Sequence, residues 1–174
     1  MQTLDLTAGV NWVSFYVETN LDALKAALEE ALPNASTTNP IVIKSQKNGQ
    51  TLYNGTRWRG ALNALDLALM YQITVPESCE ITLEGLNVDP AMHPVTIKNG
   101  PNWIAFPFSE SMTPTDAFGN FPVSGDIIQS KSNGQANYTN RWRGALGTLV
   151  PGQGYIYNSA AAGDRILTFP TSSK

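Results

Sequence analysis

Aromatic and β-branched side chains crowd residues 11–17, Asn-Trp-Val-Ser-Phe-Tyr-Val, a pattern that fits a pleated, half-buried surface and predicts a strand. Residues 102–106, Asn-Trp-Ile-Ala-Phe, predict another. Each is preceded by a short alternating run that ends in glycine: Leu4 and Leu6 before Gly9, Val95 and Ile97 before Gly100. The spacing predicts a hairpin at the start of each half. One helix is expected between them. Leu21, Leu24, Leu28 and Leu32 share a helical face, Asn20 is the N-cap, and Pro33-Asn34 ends the run. In the second half Pro114 to Phe118 supplies at most one turn. Asn48-Gly49 and Asn133-Gly134 lie between strand-like runs and predict hairpins in which both turn residues take positive φ. Residues 61–71 are helical in pattern, but the equivalent stretch holds Pro151 and three glycines, which cannot sustain a helix. Both are therefore read as a turn entering a strand. Further strands are expected at 71–75, 80–83, 155–158 and 165–169.

The chain is written twice. Arg57-Trp58-Arg59-Gly60-Ala61-Leu62 recurs as Arg141-Trp142-Arg143-Gly144-Ala145-Leu146. Matches in the same order flank it: Trp12 with Trp103, Ile41-Val42-Ile43 with Asp126-Ile127-Ile128, Tyr53 with Tyr138, Leu65 with Leu149, Tyr71 with Tyr155. The expected units are residues 1–88 and 89–174, joined tightly through Pro90 and Pro94. Copies this small bury little core alone, so they are expected to pack together about a pseudo-twofold axis. The predicted fold class is mainly β, with two tandem homologous repeats and one amphipathic helix in the first.

Composition narrows the function classes. Charged residues are only 14% and the net charge is −3, so no basic surface for nucleic acid is expected. No apolar run approaches membrane-spanning length, and the N-terminus does not read as a signal peptide. One cysteine, Cys79, and one histidine, His93, leave no disulfide framework and no histidine- or cysteine-based metal site; no cofactor is expected. Glu29-Glu30 reads as a helix-surface pair, and Asp126 and Asp164 as isolated acids near turns. No phosphate loop or nucleophile elbow occurs, so the expectation is a protein without catalysis.

The Arg-Trp-Arg strings are the candidate ligand-binding groups. Strand alternation puts Trp58 on one face and Arg57 and Arg59 on the other, and likewise Trp142 against Arg141 and Arg143. With Tyr53 and Tyr138 they form either a core anchor between solvated arginines or an aromatic platform beside bidentate donors, suited to a sugar or an anionic group. Tyr16, Tyr71, Tyr155 and Tyr157 add to a glycan-like surface chemistry, whereas Trp12 and Trp103 are expected in the core.

The succession Gly-x-Asn-Trp-x-x-Phe, an Ile-rich strand with Ser, then Tyr, Trp-x-Gly-x-Leu and Leu-x-Pro-Gly-x-Gly-Tyr resembles a tandem repeat of secreted and cell-surface proteins of Bacteroidetes-type bacteria. The second half carries it best, in Asn102-Trp103, Ile127-Ile128-Gln129-Ser130, Tyr138, Trp142 to Leu146, and Pro151 to Tyr155. The first half departs from it with Leu67-Ala68-Leu69-Met70. The resemblance implies an extracellular or surface accessory module without enzymatic activity. The expected partner is a glycan or a cell-surface protein; the alternative is a structural spacer.

Overall fold

Each repeat folds into the same seven strands and one helix, and the computed structural model describes residues 1–171. The first repeat comprises β1 (Gln2–Leu6), β2 (Gly9–Val13), α1 (Leu21–Ala31), β3 (Ile41–Lys44), β4 (Gln50–Tyr53), β5 (Trp58–Gly60), β6 (Tyr71–Val75) and β7 (Cys79–Leu83). After a 3-10 turn at Pro90–Met92, the second comprises β8 (Val95–Ile97), β9 (Gly100–Ile104), α2 (Pro114–Phe118), β10 (Ile127–Gln129), β11 (Gln135–Tyr138), β12 (Trp142–Gly144), β13 (Tyr155–Ser159) and β14 (Arg165–Leu167). The five-stranded antiparallel sheets run β2-β6-β3-β4-β5 and β9-β13-β10-β11-β12, an identical order. A two-stranded ribbon accompanies each, β1 with β7 and β8 with β14. The register matches residue for residue: Ile43 faces Ile73 and Thr51, and Ile128 faces Tyr157 and Ala136. The protein is mainly β and duplicated.

Each repeat has its own apolar core. In the first, Leu21, Leu24 and Leu28 of α1 pack with Phe15, Ile41, Ile43, Tyr71 and Ile73. In the second, Phe106, Phe108, Phe118, Ile128, Tyr155 and Tyr157 fill the equivalent space with aromatic volume. The helix begins where its cap requires, with Asn20 Oδ1 accepting from the Ala23 amide at 2.9 Å. Residues 61–70 form no helix, as the repeat comparison demanded.

Two expectations need correction. β1 and β2 are not a hairpin, because β1 pairs with β7 and β2 with β6. The chain turns a corner instead. Gly9 takes φ +96°, and the Asn11 side-chain amide donates to Thr7 O, Gly9 O and Ile73 O. Asn102 ties the second corner in the same way, to Lys98 O, Gly100 O and Tyr157 O. The Asn-Trp pairs thus begin with a corner residue. The β3–β4 hairpin exists, but five residues separate Lys44 from its partner Gln50, and only Gly49 takes positive φ. Ser45 Oγ accepts from the Lys47 and Asn48 amides and organises that loop, much as Ser130 Oγ accepts from Asn133.

The two repeats meet along β2 and β9, through reciprocal contacts. Ser14 N donates to Gly152 O and Gly154 N to Trp12 O, both at 3.0 Å; Ala105 N donates to Ala68 O and Met70 N to Trp103 O, at 3.0 and 3.5 Å. Each bond in one pair is the other with the repeats exchanged, so the interface has the pseudo-twofold symmetry expected. The buried Ser14 hydroxyl adds a cross-repeat link. It donates to Gln153 O at 2.7 Å and accepts from Phe106 N at 3.2 Å. Gly154 sits beneath the fully buried Met70, and a Cβ there would lie 2.0 Å from Met70 Cγ. Trp12 and Trp103 flank this seam half-buried, not in either core as expected, because β2 and β9 are the sheet edges that form it.

Gly154→Ala is expected to destabilise the protein by about 1–3 kcal/mol through overpacking, and Met70→Ala by about 2–5 kcal/mol through cavity formation. In the double variant the new methyl enters the space that methionine vacates. Chemical denaturation of the four proteins should therefore show a loss smaller than the sum, by about 0.5–3 kcal/mol. An additive result would mean that the two residues do not interlock.

Candidate functional site

The Arg-Trp-Arg strings lead into the outer edge strands β5 and β12, which begin at Trp58 and Trp142. Gly60 and Gly144 end them for a steric reason: a Cβ would lie 2.0 Å from Gln50 O and 2.2 Å from Gln135 O, and both take φ near +145°. Cross-strand register sets Trp58 opposite Tyr53 and Trp142 opposite Tyr138. The rings pack with centroids 5.3 and 5.2 Å apart. Alternation acts as expected. Both tryptophans lean on the cores, half-buried, while Arg57, Arg59, Arg141 and Arg143 are exposed.

Among the described residues these four arginines have no carboxylate partner. Among the described residues the ion pairs are His93 with Glu18 at 3.6 Å and Arg165 with Asp126 at 2.8 Å. Each edge therefore presents two free guanidinium groups beside a Tyr–Trp pair. Arg59 lies across from Leu52 and Arg143 across from Asn137, so no cross-strand charge competes for them. Such forks are matched to planar anions such as carboxylate and sulfate.

Beneath this shared surface the tryptophans are held differently. In the first repeat α1 reaches over the edge. Lys25 and Glu29, four residues apart and hence on one helix face, both meet Trp58. Its Nε1 donates to Glu29 Oε1 at 2.6 Å, and Lys25 Nζ stands 5.6 Å from the ring centroid. Glu29 is thus a tryptophan acceptor, not the surface acid expected. In the second repeat α2 is one short helix ending at Gly119, and Phe118 packs 5.7 Å from Trp142 instead. The buried Trp142 Nε1 has no acceptor among the described residues.

Three of the tyrosines expected at the surface are buried: Tyr71, Tyr155 and Tyr157. The first two brace the turns before β6 and β13. Their hydroxyls accept from the backbone amides of Asp66 and Val150, both at 2.7 Å. Burial raises the Tyr71 hydroxyl and pushes the Tyr155 hydroxyl up to about 12. Tyr16, Tyr53 and Tyr138 remain half-buried.

Asp126 is the feature the sequence reading missed. It is not an isolated turn acid but the hub of a buried cluster. Its carboxylate accepts from Tyr157 Oη at 2.5 Å, Ala160 N at 2.8 Å, Val123 N at 3.0 Å and Arg165 at 2.8 Å. Arg165 also donates to Phe121 O and Ser159 Oγ and lies 4.3 Å over the Phe121 ring. Register equates Asp126, Tyr157 and Arg165 with Ile41, Ile73 and Cys79 of the first repeat. The signal was a correlated one: three apolar or thiol positions of one copy become acid, phenol and guanidinium in the other. Burial pushes the Asp126 carboxyl up, but the bonds from Tyr157, the two amides and Arg165 outweigh it and hold it below the usual carboxylate range. Burial, reinforced by Asp126, drives the Tyr157 hydroxyl well above the usual phenol range. The cluster is a structural clamp: the Asp126 side chain is fully enclosed. Among the described residues no group of three His, Cys, Asp or Glu is placed to hold a metal ion, and no helix is long and apolar enough to cross a membrane.

Trp58→Phe removes a hydrogen bond to a charged acceptor and is expected to cost about 1.5–3 kcal/mol beyond the change in ring size. Trp142→Phe removes an unpaired donor, so its melting temperature should fall less; equal losses would contradict the asymmetry. The depressed Asp126 acidity stabilises the fold above the ordinary aspartate value of about 3.9 and is lost as pH falls through the native value. Stability measured against pH should therefore decline on the acid side of that range, and Asp126→Asn should flatten this limb while lowering stability at neutral pH.

Compared with models of known protein families, with curated proteins and with solved structures, the chain matches none.

Proposed function

We propose that the protein is a non-catalytic accessory module of a secreted or cell-surface protein, and that it holds an acidic glycan through its two outer edges. The observation that carries this reading is the pair of unpartnered arginines beside a Tyr–Trp pair on each edge: Arg57 and Arg59 with Tyr53 and Trp58, Arg141 and Arg143 with Tyr138 and Trp142. A free guanidinium costs little to bring to an anion, because no internal ion pair has to be broken first. The half-buried tryptophans act as rigid supports that set where the arginines emerge, and the exposed part of each ring offers a face to a sugar. A shallow surface repeated twice suits multivalent contact with a polymer, in which two weak sites gain avidity without new chemistry. The sequence resemblance to surface repeats points to the same setting.

A second reading, a structural spacer with protein contacts alone, is supported by the packing of both tryptophans against the cores and by the commitment of Trp58 Nε1 to Glu29.

A screen of immobilised sulfated, uronic-acid and neutral glycans separates the two. The binding reading predicts retention of an anionic class that weakens with salt. Arg57→Gln with Arg59→Gln should weaken apparent affinity by about tenfold, or about 1.4 kcal/mol. Replacing all four arginines should abolish binding with the thermal melt nearly unchanged. No anionic glycan bound by the wild type would leave the spacer reading in place.

A further inference from the structure

The pseudo-twofold seam is symmetric in its backbone bonds but not in what fills the notch beside it. On the β9 side, Gln46 from the β3–β4 loop reaches across from the first repeat. Its carboxamide donates from Nε2 to Pro101 O and accepts at Oε1 from Trp103 N, both at 2.9 Å. Gln46 thus caps the exposed edge of β9 with a donor and an acceptor, as a further strand would. Pro101 adds a second protection, since it has no N–H to offer on that edge.

On the β2 side both protections are missing. The matching registers equate Pro101 with Val10 and Trp103 with Trp12. Val10 restores the N–H that Pro101 lacks. The equivalent of Gln46 is Lys131, placed by the same loop geometry: Ser45 N bonds Gly49 O and Ser130 N bonds Gly134 O, both at 2.9 Å. A lysine ammonium cannot accept from an amide. Only the far half of this edge is covered, by Gly154 N on Trp12 O and Ser14 N on Gly152 O. In the near half Val10 is exposed, and beside it a cleft of about 450 Å³ is walled by β1, by Asn11 and Trp12 and by residues 150–154, with Asp5 and Lys131 on its lining.

We propose that the open edge of β2 at Val10 and Trp12, beside this cleft, receives an extended peptide segment of a partner protein as a short added strand. The segment's N–H bonds Val10 O and its C=O accepts from Trp12 N, the two bonds that Gln46 makes with the sister repeat. The occupied notch identifies the ligand chemistry: an amide donor and acceptor side by side, which main chain in extended form supplies. The site is separate from the arginine edges, which lie at the opposite ends of the two sheets.

The test is an amide-resolved NMR titration with a capped alanine–threonine–alanine tripeptide, with the same peptide methylated on its central amide nitrogen, and with N-acetylglucosamine. The unmethylated peptide should shift the amides of Val10 and Trp12 at millimolar concentration, and the methylated one should bind about tenfold more weakly. Lys131→Gln should reproduce the internal cap and abolish these shifts without unfolding the protein. Gln46→Ala should open the sister notch, so that the Trp103 amide also responds. Absence of shifts at Val10 and Trp12 up to the peptide's solubility, equal binding of the methylated peptide, or unchanged binding by Lys131→Gln would each overturn the proposal. A response to the acetamido sugar alone would overturn it in favour of a glycan. Should Gln46→Ala not fold, the Lys131→Gln result decides.

Discussion

Met70 and Gly154 hold the same place in their respective repeats, and the pseudo-twofold axis brings them face to face. In a true homodimer a residue on the axis meets its own copy, and two large side chains would collide while two glycines would leave a void. A duplicated chain escapes that constraint because its copies are free to diverge. Here one position carries a long, flexible thioether and the other carries no side chain, so that the first fills the space the second leaves open. The reciprocal backbone bonds between β2 and residues 152–154, and between β9 and residues 68–70, need the close approach that this pairing permits. Ser14, buried between the repeats, completes the join by satisfying one amide and one carbonyl that would otherwise be stranded.

The same freedom to diverge runs through the two cores. One strand framework, with one register, accommodates Ile41, Ile73 and Cys79 in the first copy and Asp126, Tyr157 and Arg165 in the second. Buried ion pairs and apolar side chains are near alternatives in energy when the polar set is well satisfied, because desolvation of the charges offsets most of their attraction. Four bonds to Asp126 meet that condition for the carboxylate, and the polar set also fastens β10 to β13 and β14. The edge tryptophans tell a similar story. The same indole is held by a carboxylate from a three-turn helix in one repeat and by a phenyl ring from a single turn in the other.

Much of this was legible in the residues. Two copies of one string, with flanking matches in order, imposed a comparison that overruled local propensity: the leucine-rich stretch 61–71 looks helical alone, yet its partner contains Pro151, Gly152 and Gly154, and neither forms a helix. The outward arginines and inward tryptophans followed from strand alternation. What failed depended on contacts distant in sequence. The pairing of β1 with β7 cannot be told from a hairpin by local pattern, since the corner at Gly9 is made by an Asn11 side chain that bonds Ile73 far along the chain. Glu29 looked like a surface acid because its acceptor role needs Trp58 above the helix. Asp126 looked isolated because its partners come from β13 and β14. Trp12 and Trp103 looked central because their strands are apolar, although those strands are edges that meet at the seam.

The seam also decides how copies of this repeat can be assembled. Repeats that stack head to tail leave a sticky face at each end and grow into open-ended solenoids until a cap stops them. These two use the same face against each other, so the pairing closes and leaves no equivalent face for a third copy. Units of this kind are consumed in twos. A longer array built from them is a string of discrete closed beads, with the spacing between beads set by whatever chain connects them.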